Sequence, residues 1–147
     1  MAIRIDKNQL MMLRKKIEDL GKLSAQELSN ELGITSLKIV ESAKNYVPVK
    51  DGNLKSSIGA ERQNKQNVRV FAKAVYAPYI EFGTGRGVTL REIDQLGIPR
   101  SYAEQFKGKG KGRGFVYARP YFFPAVRKEF DELEKRLDLT LNRLANK

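Results

Sequence analysis

The stretch Tyr76–Gly85, YAPYIEFGTG, is where this chain could hold an active group. One acid, Glu81, stands among Tyr76, Tyr79, Ile80 and Phe82, and the chain then runs into glycines. A carboxyl in apolar surroundings has its pKa raised and can serve as a general acid. It can equally accept hydrogen bonds from backbone amides or pair with an arginine such as Arg119. No second catalytic group lies near Glu81 in sequence, so the structural role is the favoured one.

Other chemistries find less support. GTGRG (83–87) and GKGKGRG (108–114) are glycine-rich. Neither contains the G-x-x-x-x-G-K-[ST] phosphate loop, and GTGRG lacks the G-x-G-x-x-G spacing. None of the 16 lysines has an acid two positions before it, the arrangement of one nuclease type. A two-metal site needs converging carboxylates. The acids fall mostly in the terminal segments, where they pair with Lys and Arg at helical spacing. There is no cysteine and no histidine, which removes disulfides, thiolate sites and the commonest general base and metal ligand. The expectation is a non-enzyme without a cofactor or metal.

Charge points to partners. The formal net charge is +11, and its largest excess lies in residues 83–119, with 8 basic and 3 acidic groups. Lys107, Lys109, Lys111 and Arg113 alternate with glycine, and Tyr102, Phe106, Phe115 and Tyr117 flank them. Aromatics around a basic groove can hold single-stranded nucleic acid without sequence preference. The same tract can face an acidic protein. The alternating glycines and like charges predict a mobile tract in the isolated protein.

These candidates need elements to position them. The 147 residues suit one domain. No apolar run is long enough to span a bilayer, and the N-terminus lacks the zones of a signal peptide. Residues 6–46 read as helical: Asp6 and Gln9 resemble a capping box, and Ser24 with Glu27 forms another. Gly33 weakens or bends the second helix without ending it, and Pro48 stops it. Residues 48–83 are expected to hold the sheet. Asp51-Gly52 is a turn signal, Leu54–Ile58 a short strand, 61–67 a loop or hairpin tip, and 68–75 the clearest strand. In that strand Val68, Val70, Ala72 and Ala74 share one face, while Arg69, Phe71, Lys73 and Val75 share the other. Residues 84–117 form a basic insertion with short helical signals at 89–96 and 101–106. Residues 118–147 form a turn and an amphipathic helix opened by Pro124, with Val126, Phe130, Leu133, Leu137, Leu141 and Leu144 on one side. The fold class is α+β: a small antiparallel sheet of about three to five strands, with long N- and C-terminal helices packed on it.

Three motifs stand in order: VPVKDGNLKSSI, YAPYIEFGTG and ARPYFFPAV. Their key positions are Pro48, Gly52 and Leu54; Tyr76, Tyr79, Glu81, Phe82 and Gly83; and Arg119, Pro120, Tyr121 and Pro124. In order and spacing they resemble the HK97 gp10-like family of tailed-phage proteins. Lys50-Asp51 departs from the Asp-Thr of many members, and the 86–117 insertion is longer than in compact ones. The resemblance implies a virion structural protein at the head–tail junction, of tail-completion or connector type. It would form a six- or twelve-fold ring and touch tail-tube, terminator or connector proteins, with the motif positions as structural or interface residues. The resemblance also implies host cytoplasm as the place of assembly and no membrane association. Non-specific contact with phage DNA through the basic tract is the alternative, as a nucleic-acid-binding module.

Overall fold

A computed structural model describes residues 1–5, 10–12, 14–15, 25–48, 50–88, 91–95, 99–106 and 114–146. The chain is a mixed helix and sheet structure, as the sequence predicts. Strands β1 (Ala2–Ile5), β2 (Ile58–Asn64) and β3 (Asn67–Ala72) form an antiparallel sheet in the order β1-β3-β2. β3 is central because its alternation buries Val68, Val70 and Ala72 and leaves Arg69 exposed. A two-residue turn at Lys65-Gln66 joins it to β2. The Asn64 carboxamide oxygen accepts from the Gln66 amide at 2.8 Å, a local bond that favours the turn.

Helix α1 (Ala25–Tyr46) and helix α6 (Phe122–Ala145) are the two long elements. Between them in the chain lie α2 (Gly52–Ser57), α3 (Ala77–Phe82), a 3-10 turn (Gly85–Gly87), α4 (Arg91–Gln95) and α5 (Arg100–Glu104). α1 runs through Gly33, as predicted. Its buried side includes small polar residues, Ser29, Thr35, Ser36 and Ser42. Ser29 accepts from Arg62 of β2 at 2.9 Å and Ser36 donates to Gly33 O of its own helix at 2.7 Å, while Ser42 and Thr35 find partners across the helix pair. Ser42 Oγ donates to Glu129 Oε1 at 2.6 Å, and Arg136 bonds Glu31 at 3.0 Å and Thr35 at 2.8 Å. The main core joins Leu32, Ile39 and Ala43 of α1 to Leu54, the buried face of β3, and Tyr121, Phe122 and Val126 at the start of α6. A smaller cluster of Leu133, Leu137 and Leu141 continues along α6 toward Leu28.

Three local expectations are corrected. Residues 54–57 are not strand, and only Ile58 of the expected 54–58 strand begins β2: 52–57 form helix α2, because the Asp51 carboxylate accepts from Leu54 N–H at 3.0 Å and caps it. The polar stretch 61–67 is largely strand, since an edge strand needs no apolar alternation. The clearest strand ends at Ala72, short of 75. Residues 2–5 form β1, a strand unassigned in the sequence. Helical residues 10–12 and 14–15 lie in the expected first helix; the rest of that segment, and both N-terminal capping residues Asp6 and Ser24, lie outside the described residues.

Candidate functional site

Glu81 is 1 % exposed, so its carboxylate requires internal donors. Its Oε2 accepts from the backbone amides of Tyr121 at 2.8 Å and Phe122 at 2.9 Å, and its Oε1 from Phe123 at 3.0 Å. These amides open α6, whose cap residue Tyr121 makes no side-chain capping bond of its own. Helix starts leave amides unpaired and carry partial positive charge. A carboxylate from α3, forty residues away in sequence, therefore caps the last helix. This is the backbone-amide role; Arg119 is exposed, and its own N–H donates to Ile80 O at 2.8 Å.

The chain between these ends is tied at its base. Thr84 N–H donates to Val116 O, and Val116 N–H donates to the Thr84 hydroxyl, both at 2.9 Å. Ala118 N–H donates to Gly87 O at 3.0 Å. The close approach requires glycine. Gly83 has φ +77° and ψ −173°, and a side chain there would stand 2.6 Å from Val116 O and 2.7 Å from Ala118 N. A Cβ on Gly87 would meet Val116 O as well. The motifs flanking the insertion thus meet at its base.

Above the neck, Phe82, Ile93, Ala103, Phe106 and Phe123 make a second core. Phe106 stacks on Phe82 at 5.6 Å between centroids and meets Tyr79 edge-on at 5.3 Å. Arg86 sits 4.0 Å over the Phe115 ring. Of the apolar residues around Glu81, Tyr76 and Ile80 pack against the main core, while Tyr79 and Phe82 belong to this separate cluster. The basic positions Lys107, Lys109, Lys111 and Arg113 lie outside the described residues.

The first motif joins the same assembly. Asp51 Oδ1, the α2 cap, also accepts from the Tyr76 hydroxyl at 2.6 Å, and Asn53 donates to that hydroxyl at 3.3 Å. The bond to Asp51 raises the Tyr76 pKa. Tyr121 is fully buried, with no hydrogen-bond partner for its hydroxyl. Burial first, then the charges of Glu81 and Asp51, push its pKa far up. Of the twelve motif positions, Leu54, Glu81, Phe82, Gly83 and Tyr121 are buried, and Pro48, Tyr76, Tyr79, Pro120 and Pro124 half-buried. Only Gly52 and Arg119 are exposed. These motifs build a frame; they do not paint a surface. Sequence reasoning passed over Gly87 and Phe123 as members of it, although a carboxylate beside glycines already signalled a backbone meeting.

A family model described as "Bacteriophage HK97-gp10, putative tail-component" matches residues 7–83, just over half of the chain. The chain belongs to the HK97-gp10-like family. Neither the comparison with curated proteins nor that with solved structures gave a match. In this HK97-gp10-like chain the matched segment ends at Gly83, the residue where the insertion departs. The third motif lies beyond it, bound back by Glu81. Family membership makes the protein a phage tail-related structural component and places it in the virion. Among the described residues no helix is long and apolar enough to cross a membrane, and no group of three or more His, Cys, Asp or Glu could hold a metal ion.

Proposed function

We propose that this protein is a ring-forming subunit at the head–tail junction of a tailed phage, of tail-completion or connector type and without catalytic activity. Six or twelve copies would surround the axis, with tail-tube or terminator protein on one side and connector protein on the other. Family membership is the observation that carries this. The geometry supports it: Glu81 is consumed by three amides, and the motif residues hold two long helices and an insertion in a fixed relation. Such a frame suits a subunit that must present the same surfaces to identical neighbours.

In-vitro joining tests this. Heads and tails assembled without the protein should stay apart, and adding purified protein should yield joined particles. Joining that proceeds equally well without it would overturn the junction role.

A further inference from the structure

We propose that the open face of the sheet binds the phosphate backbone of nucleic acid, independently of sequence. The helices cover the face that carries Val68, Val70 and Ala72. On the other face stand Arg69, Phe71 and Lys73, at alternate positions along and just beyond β3. Phe71 lies across Gly59 of β2, so close that a Cβ there would stand 2.9 Å from its ring. The glycine leaves room for the far end of the ring over the neighbouring strand. That fixed ring then gathers two cations: Lys73 Nζ lies 4.8 Å and the Arg69 guanidinium 5.8 Å from its centroid. On the opposite strand Arg4 is the register partner of Arg69, so a third basic residue occupies the same level of the sheet.

The described acid on this face is Glu61, the cross-strand partner of Arg69, bonded to it at 3.3 Å with both side chains nearly half exposed. One carboxylate against the two described cations, Arg69 and Lys73, leaves an excess of positive charge. A concavity of about 210 Å³ opens over these residues. Protein interfaces place apolar groups at their centre and are depleted in lysine. Here the centre is charged, around one aromatic ring. Cations and aromatics on an open sheet face suit a nucleic-acid strand. The chain's overall charge of +11 would draw a polyanion to it. Its residues are other than the Lys107–Arg113 tract of the sequence, and the proposal does not rest on the ring or the junction role.

The test is fluorescence anisotropy of the full chain with a labelled duplex of about 30 base pairs and with its single strand, across a salt series. Arg69→Gln with Lys73→Gln should weaken binding about tenfold at low salt and reduce the slope of log K against log salt by about 2, near one per cation removed. The thermal midpoint should stay at the wild-type value. Glu61→Gln should tighten binding. Binding and slope unchanged in the sheet variant but lost when Lys107, Lys109, Lys111 and Arg113 are made glutamine would overturn the proposal. So would a wild-type protein that ignores both DNAs, or one that binds polyglutamate in their place.

Discussion

Glu81 receives three amides because a helix start supplies donors that the helix itself cannot use. Glutamine there keeps the shape, loses the charge and presents an NH2 to at least one amide. Glu81→Gln should cost about 2–3 kcal/mol, read as a fall of roughly 10 °C in thermal midpoint. An unchanged midpoint together with unchanged assembly would remove the carboxylate from the frame. Tyr121 poses the opposite case, a buried hydroxyl without a partner. Tyr121→Phe should be neutral or stabilising by about 1 kcal/mol near neutral pH. The phenols of Tyr121 and Tyr76 both titrate above the usual tyrosine range. The folded state therefore favours their neutral forms. Their stabilisation is complete below about pH 10, the ordinary tyrosine value, and is lost as pH rises beyond it. Urea midpoints at pH 8 and pH 11 should differ less in Tyr121→Phe than in wild type. The acid's structural role was legible from its isolation in sequence; whether amides or Arg119 would meet it was not. The identity of the amides was not, because they lie across an insertion that local spacing cannot bridge.

At the scale of elements, the insertion depends on its neck and on its aromatic cluster. Gly83→Ala forces a side chain into a backbone region essentially reserved for glycine and against Val116 O. It should cost about 3 kcal/mol or more, measured by chemical denaturation; an alanine protein as stable as wild type would contradict the geometry. Phe106→Ala removes the ring that stacks on Phe82. A buried Phe→Ala change costs about 3–5 kcal/mol, and here the loss should fall on the insertion. Proteases should cut near 91–106 much faster, while amide exchange in β3 stays slow. Uniform loosening of β3 and insertion together would mean that the two cores are not separable. The long helices and β3 were legible because their apolar periods extend over many residues. α2 was misread because LKSSI suits a strand until Asp51 is recognised as a cap. β1 escaped notice because four residues offer too short a pattern, and its partner β3 lies more than sixty residues away.

At the scale of the molecule, the three motifs behave as one joint. Asp51 ties the first to Tyr76 of the second, and Glu81 ties the second to the start of α6. The α+β architecture and the family were legible in the order of these motifs. Their convergence at the foot of the insertion comes from the structure, since contact over such separations is fixed by the packing of α1, α6 and the sheet. A rigid joint of this kind should serve an assembly of like subunits. The most direct measurement is the native mass of the purified protein, alone and then mixed with isolated tails. The expected result is a closed ring, either in solution or formed from monomers at tail ends. A monomer that stays monomeric and leaves the tails unbound would contradict it.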